Sequence, residues 1–341
     1  MKRKQGISLI VLVITIIVMI ILASAVVITL SNNGIINRAD EAVDKTSKSQ
    51  IEHLAALAWA DAYADGLRGA ELKAKVEEIL EANKITTDDW NIAVTDKGVT
   101  LIPKGEEVKV GLLVSNKDIG KTVMYEANGV SDWQLFYEDE AKGNIYLIAK
   151  GVPERTTLST KFKVSDLTQE ELDMFDLFQV VDGVSHTLID LDVERNWSMT
   201  GCQGVARLIR EYKKYMNTED YGSYVKGALG GPTIELFAAS WNAMGYEPQI
   251  TLGATDWGYT MNGSWHINLV KYPIFFLDES EYWIASTNYG YQNTIMIAID
   301  YYISSAMYYA ERGIRPVVCI SMDAPAISVD SDTIMLVKQD K

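Results

Sequence analysis

The residues that could perform chemistry in this sequence are few and widely separated. Ser185, His186 and Asp190 are of the types that hydrolases use. Adjacent residues on a strand point to opposite faces, so Ser185 and His186 could not bond as nucleophile and base. The sequence also lacks the spacings of a serine elbow, a phosphate loop, a paired-histidine zinc site and a calcium loop. We therefore expect a protein without catalytic function and without a cofactor.

Metal and redox chemistry have equally little support. The 341 residues include two cysteines, Cys202 and Cys319, and three histidines, too few for a disulfide-dense scaffold or a multi-histidine centre. The cysteines predict either a buried thiol pair or one structural disulfide. His266 stands between apolar residues in an alternating stretch, which is more typical of a hydrogen-bonded sheet histidine than of a ligand. No metal site is predicted from these residues.

The charge of the chain limits its partners. The formal net charge is −15, which repels phosphate backbones, so nucleic acid is not an expected partner. Acidic clusters at 138–140 and 278–281 could bind calcium through carboxylate oxygens, but solvated loops explain them equally well.

Tyrosine is the residue type whose pattern best suggests a binding surface. Between Thr255 and Ala310, 14 of 56 residues are aromatic. Part of this cluster is typical of a sheet core. In an adjacent tyrosine pair on a strand, however, one ring must face outward, where tyrosine offers contact area at low entropic cost. We predict that residues 287–312 form a ligand-binding face. Its candidate residues are Tyr289, Tyr291, Tyr301, Tyr302, Tyr308 and Tyr309.

The N-terminus predicts a membrane segment. Three basic residues at positions 2–4 precede Gly6, and the next 24 residues, Ile7–Leu30, carry no charge. As a helix this run would be about 36 Å long, enough for about 30 Å of hydrocarbon. Positive charge before the span would keep the first residues cytoplasmic and place the head outside. A secretory signal cleaved near Ala23-Ser24-Ala25 and an uncleaved signal anchor remain alternatives.

The run Lys-Arg-Lys-Gln-Gly followed by Ile-Ser-Leu-Ile-Val-Leu-Val-Ile resembles the N-terminus of type IV prepilins. The resemblance implies cleavage between Gly6 and Ile7 by a prepilin peptidase, methylation of Ile7, and assembly with other pilin-like subunits. The family normally has Glu as the fifth mature residue, whereas this chain has Val11. That difference argues against the role of an ordinary major pilin.

Hydrophobic periodicity organises the remainder of the chain. Helical spacing from Ile35 to Ala58 predicts an amphipathic stalk. A helix over 71–82 and a hairpin at 90–102 follow. A capping box at Thr168 predicts one helix in the head, and Pro232 predicts the start of another. Strands are predicted at 108–113, 122–125, 145–148, 282–286, 294–299 and 315–320, the last three in one antiparallel sheet. The predicted organisation is a leader (1–6), a transmembrane helix (7–30), a stalk helix (31–66), a small α/β cap (67–104), an α+β head (105–327) and a C-terminal tail (328–341).

A second resemblance covers the head, roughly residues 105 to 323. Its phrases lie at 119–123, 132–137, 144–148, 230–237, 240–243, 282–286 and 313–318, and they are similar to ectodomains of prepilin-like surface proteins of Gram-positive bacteria. The last two phrases also resemble the closing strands of C-type-lectin-like folds, including formylglycine-generating-enzyme relatives. The implied fold class is α+β: a long transmembrane and stalk helix before a head with an antiparallel sheet, C-type-lectin-like in its C-terminal part.

Together these features predict a pilin-like structural and adhesive subunit. It would be anchored in the cell membrane and displayed in or beside a type IV pilus or secretion pseudopilus, with a head that binds an unknown extracellular ligand. The alternatives are a monomeric surface receptor that uses the same anchor, and an extracytoplasmic enzyme of formylglycine-generating type.

Overall fold

The chain divides into two units, one ending at Lys104 and the other beginning at Gly105. The structure is a computed structural model. It describes residues 35–158, 164–180, 199–247, 249–255, 258–262, 274–275, 281–287, 294–299, 302–307 and 310–339.

The first unit contains two helices and a hairpin. Helix α1 (Ile35–Ala64) packs on α2 (Gly69–Ala82) and on the antiparallel hairpin of β1 (Trp90–Thr95) and β2 (Gly98–Pro103). Residues three or four positions apart share one face of a helix, which explains the core. That core comprises Ala55, Ala58, Ala62, Leu72, Val76, Leu80, Ile85, Ile92, Val94 and Leu101. The apolar residues in the second half of the predicted stalk therefore pack in the core of this unit.

The membrane helix of the predicted fold class is not found. In the part of the chain that the structure describes, no helix combines the length and the apolarity needed to cross a membrane. Helix α1 carries charged residues in nearly every turn, and each would be costly in hydrocarbon. The predicted fold class, which included a long transmembrane helix, is therefore wrong. The described chain is α+β and mostly sheet, and none of its described helices is both long and apolar enough to span a membrane. Residues 7–30, with Gly6, Ile7 and Val11, lie outside the described ranges.

The second unit is built on an eight-stranded sheet in the order β3-β16-β17-β4-β5-β6-β15-β8. Its strands are β3 (Val108–Lys109), β4 (Thr122–Ala127), β5 (Val130–Asp139), β6 (Asn144–Ala149), β8 (Val225–Leu229), β15 (Val317–Ser321), β16 (Pro325–Ser328) and β17 (Thr333–Leu336). All neighbours are antiparallel except β17 and β4, which are parallel. The segment 328–341, predicted as a tail, thus contributes a strand inside this sheet.

A five-stranded sheet has the order β13-β12-β11-β14-β7. Its strands are β7 (Glu154–Thr156), β11 (Tyr282–Thr287), β12 (Thr294–Ile299), β13 (Tyr302–Met307) and β14 (Arg312–Ile314), and β9 (Thr251–Thr255) with β10 (Gly258–Asn262) forms a separate hairpin. The predicted single antiparallel sheet of 282–286, 294–299 and 315–320 is wrong. Strand β15 belongs to the larger sheet, and β11 has a parallel neighbour in β14.

Four helices of the second unit are α3 (Gln169–Asp176), α4 (Met199–Arg210), α5 (Thr218–Tyr221) and α6 (Ile234–Ala243). Helix α6 begins after Thr233, whose hydroxyl accepts from Leu236 N, so Pro232 precedes the cap. It contacts β5 of one sheet and β11 of the other, so the two sheets share one apolar core. Gly231 lies against β11 so closely that a Cβ there would be 2.2 Å from Trp283 O. Only glycine fits at that position.

The predicted capping box at the start of α3 is confirmed. Thr168 Oγ1 accepts from Glu171 N, and Glu171 Oε2 accepts from Thr168 N at 2.8 Å. Burial favours the neutral form of Glu171, but the hydrogen bond from Thr168 and the charges of Lys213 and Arg210 outweigh it, so the pKa of Glu171 lies below its usual value. Lys213 Nζ is 3.6 Å from Glu171 Oε1. This carboxylate therefore ties α3 to the chain that follows α4.

Candidate binding site

A groove of about 510 Å³ opens on the second unit at the start of β4. That volume suits a small organic ligand, because ligand sites usually enclose about 300–1,000 Å³. The lining residues come from five separate stretches of the chain. They are Lys117, Asp118, Ile119, Gly120, Lys121, Thr122, Gln134, Met244, Tyr246, Ile274 and Asp332.

The charged wall of the groove is a short 3₁₀ turn, Asn116–Asp118, fixed by its own capping box. Ser115 Oγ accepts from Lys117 N at 3.3 Å, and Asp118 Oδ2 accepts from Ser115 N at 2.9 Å. Gly120 then reverses the chain with φ +96°, a conformation that other residues rarely adopt. The turn holds Lys117 exposed and Lys121 half-buried at the groove.

An ion pair controls the charge of this wall. Lys121 Nζ lies 2.7 Å from Asp118 Oδ1. Burial raises the pKa of Asp118, but the hydrogen bonds from Lys121 and Ser115 outweigh it, so the pKa stays below the usual value. Asp118 is therefore ionised at neutral pH, and Lys117 supplies a further, exposed positive charge.

The opposite wall is apolar and follows α6. Tyr246 packs edge-on against the buried Trp241, with ring centroids 5.1 Å apart. Asn242 fixes the returning chain because its side chain both donates to Ile250 O and accepts from Ile250 N, each at 2.8 Å. Met244 and Tyr246 are held beside the groove by these contacts.

The floor of the groove rests on a buried arginine. Arg315 is completely inaccessible to solvent. Its guanidinium donates to Ala149 O at 2.9 Å, to Ile274 O at 2.5 Å and, weakly, to Gln134 Oε1 at 3.4 Å. Two of these acceptors, Ile274 and Gln134, belong to residues that line the groove. The arginine thus orients groove residues from below.

The positive charge of Arg315 has no carboxylate partner among the residues that the structure describes. Burial lowers its pKa, and the ring of Tyr282 lies 5.3 Å from the guanidinium carbon. Burying an unpaired charge is costly. Among the lining residues Lys117 and Lys121 balance Asp118 and Asp332, and the charge of Arg315 lies beneath the lining, out of contact with solvent.

The structure leaves the predicted tyrosine face untested. Tyr289, Tyr291, Tyr301, Tyr308 and Tyr309 lie outside the described residues, as do Ser185, His186, Asp190 and His266. Tyr302 begins β13, but its side chain is also outside them. The binding face at 287–312 therefore stays a prediction.

The cysteines are only partly described. The thiol of Cys319 on β15 is fully buried, and burial raises its pKa to about 12. Cys202 lies in α4, and its side chain is outside the described residues. A bond between the two stays a prediction.

The acidic cluster at 138–140 does not form a metal site. Glu138 Oε2 accepts from Asn116 N at 3.1 Å, and burial raises the pKa of Glu138. Asp139 is buried, and its Oδ1 accepts from Lys142 N at 3.1 Å. Across the ranges that the structure describes, no three acidic, histidine or cysteine side chains are placed to hold a metal ion. The cluster from Asp278 falls outside those ranges except for Glu281, which pairs with Arg312.

Comparisons with known proteins do not assign this fold or groove. No family model matches the chain, and neither the curated proteins nor the solved structures give a match. The resemblances to prepilins and to lectin-like folds therefore depend on the sequence phrases alone.

Proposed function

We propose that this chain is a pilin-like surface subunit whose head binds a small ligand with an anionic group, without catalysis. It is held at the cell membrane by its N-terminal segment and processed between Gly6 and Ile7 by a prepilin peptidase. Its further partners are other pilin-like subunits. The observation that carries the binding proposal is the groove, with Lys117 and Lys121 on one wall, Tyr246 on the other and Arg315 buried beneath.

The groove chemistry favours an acidic sugar residue. Lys117 and Lys121 can attract a carboxylate at one wall, and Gln134 can donate to or accept from a hydroxyl at the floor. The ring of Tyr246 offers an apolar surface for the C–H face of a sugar. The groove volume of about 510 Å³ accommodates one or two such residues.

The binding test is an array of acidic glycans with neutral counterparts of the same size. We expect the full chain to bind acidic glycans selectively, and Lys121→Met or Tyr246→Ala to weaken the interaction by about tenfold or more, as expected for anchor residues. Lys109→Met is the matched control. Lys109 also pairs with an aspartate, Asp323, at 2.7 Å, but it does not line the groove.

Two outcomes would overturn the binding proposal. One is the absence of any acidic glycan whose binding depends on the groove variants. The other is selective binding of carboxylate-terminated peptides on a second array of such peptides, which would replace the sugar by a peptide. Equal loss in Lys109→Met would show that overall charge, not the groove, governs the interaction.

Processing is tested separately by mass spectrometry of the mature N-terminus. The expected chain begins at a methylated Ile7, and Gly6→Glu should leave the precursor uncut. A chain that begins after Ala25 would indicate a secretory signal instead.

The second candidate, a monomeric receptor, is favoured by Val11, which cannot supply a carboxylate to a neighbouring subunit's terminal ammonium. Quantifying the chain in sheared filaments decides between the two. A minor amount in filaments supports the subunit, and complete absence supports the receptor.

A further inference from the structure

Gln134, on β5, lies at the floor of the groove between two groups of opposite hydrogen-bonding character. Arg315 Nη2 is 3.4 Å from Gln134 Oε1, and Gln134 Nε2 is 3.4 Å from Gly120 O. A guanidinium can only donate hydrogen bonds, and a backbone carbonyl can only accept them. Both contacts therefore require the same orientation of the amide, with Oε1 toward Arg315 and Nε2 toward Gly120.

This orientation makes the side chain of Gln134 a donor toward the groove. A glutamine without neighbours can both donate and accept, but here the oxygen faces the buried guanidinium. The amide nitrogen has two hydrogens, and among the residues that the structure describes Gly120 O is its one acceptor. Gln134 is half-buried and lines the groove, so the second hydrogen is left for a ligand.

A hydroxyl lies beside this amide on the same face of the sheet. Thr122 on β4 is directly opposite Gln134 on β5, which places their Cβ atoms about 5 Å apart. Both residues line the groove. The hydroxyl hydrogen of Thr122 can rotate toward a ligand. Two adjacent donors suit an oxygen that only accepts hydrogen bonds, such as an amide carbonyl.

The apolar wall begins next to the amide. Arg315 Nη1 donates to Ile274 O at 2.5 Å while Nη2 faces Gln134, so one guanidinium holds these two lining residues side by side. Met244 and Tyr246 complete the apolar lining. A group that combines a carbonyl oxygen with a methyl would therefore meet a donor and an apolar surface at once. An acetamido group has both parts.

We propose that the groove selects acidic sugars that carry an N-acetyl group, and that Gln134 determines this specificity. The inference rests on the proposed binding of an acidic sugar by the groove. The acetyl carbonyl accepts from Gln134 Nε2 and from the hydroxyl of Thr122, and the acetyl methyl packs on Met244 and Tyr246.

The carboxylate of the same sugar reaches the charged wall. Lys121 directly follows Gly120, whose carbonyl is the acceptor of Gln134 Nε2. The lysine and the amide donor are thus neighbours at the start of β4, and both line the groove. One sugar residue can contact the two with different substituents.

The test is calorimetric titration of the full chain with two glycosides that differ at one position. One is a glycoside of N-acetylneuraminic acid, and the other carries a hydroxyl in place of the acetamido group. We expect the acetamido form to bind about tenfold more tightly or better, because a site built to hydrogen-bond a ligand group discriminates against the analogue that lacks it.

Two variants assign the preference to Gln134. Gln134→Met removes the donor without adding charge, and it should lower the ratio of the two dissociation constants by about fivefold. Gln134→Glu keeps the shape but cannot donate when ionised, and it should lower the ratio by a similar factor. Gln169→Met is the matched control and should keep the ratio. Gln169 is exposed on α3, where its Nε2 donates to Asp173 Oδ1 at 2.7 Å.

The outcomes separate this inference from the proposed function. Equal affinity for the two glycosides, with Lys121→Met still weakening both, would overturn the N-acetyl selectivity and leave acidic-sugar binding in place. If no acidic glycan binds at all, both fail. A ratio that stays unchanged in Gln134→Met and in Gln134→Glu would overturn the role of Gln134. Binding of N-acetylglycine as tight as that of the acetamido glycoside would replace the sugar by a peptide terminus.

Discussion

Replacing Arg315 by lysine tests a fully buried polar contact in the second unit. Lysine keeps the charge but offers its donors from one nitrogen, whereas the guanidinium serves separate acceptors. Ala149 O and Ile274 O receive their bonds from Nε and Nη1 respectively. One ammonium group cannot reach both positions.

The expected cost follows from these contacts. An unsatisfied buried carbonyl costs about 1–3 kcal/mol. The shorter, non-planar ammonium group also loses packing where the guanidinium lay, which adds about 1 kcal/mol. We therefore expect Arg315→Lys to lower the free energy of unfolding of the second unit by about 2–4 kcal/mol.

Chemical denaturation followed by tryptophan fluorescence measures this change, because Trp133 and Trp283 are fully buried in the same core. Arg155→Lys, on the exposed side of β7, is the control and should change stability by less than about 0.5 kcal/mol. A loss below about 1 kcal/mol in Arg315→Lys, with an unchanged denaturant slope, would refute the assigned role of the guanidinium.

Three further predictions concern other parts of the second unit. Gly231→Ala should destabilise it by about 3 kcal/mol or prevent folding, because the new Cβ would meet Trp283 O; a melting curve like that of the wild type would contradict this. The pKa of Glu171 is depressed, so its contribution to stability is present above the unfolded pKa of about 4.3 and is lost as the pH falls through the folded value. Glu171→Gln should therefore make the free energy of unfolding depend less on pH in the acid range, and an unchanged pH dependence would count against the ion pairs. Cys319, with a pKa of about 12, should resist iodoacetamide at about pH 8 until the protein is denatured, and labelling of the native protein would show that the thiol is accessible.

Features governed by sequence neighbours could be predicted. The hairpin at 90–102 turns at the expected residues, because alternation and a glycine at 98 determine it locally. The capping box of Thr168 and Glu171 is likewise a pattern over four residues. Helix α6 ends before Gly245, whose φ of +68° shows why a glycine is placed there. In each case the residues that determine the feature lie close together in the sequence.

The groove could not be predicted, because sheet topology assembles it. Parallel pairing of β17 with β4 brings Asp332 next to Thr122, whose amide donates to Asp332 O at 2.9 Å. A four-residue strand at the end of the chain gave too short an alternating pattern to be distinguished from a tail. The phrase at 119–123 contains four of the groove residues. Nothing in those five residues indicates that Met244 and Tyr246, which follow α6, form the opposite wall.

Calorimetric titration of the full chain with an acidic glycan selected on the array tests the claim that the groove binds an anionic ligand. We expect Lys121→Met to weaken binding by about tenfold or more, while Lys109→Met leaves the dissociation constant unchanged. We also expect the affinity for the acidic glycan to fall as salt is raised, because exposed charges are screened. Equal dissociation constants for the wild type and Lys121→Met would contradict the claim.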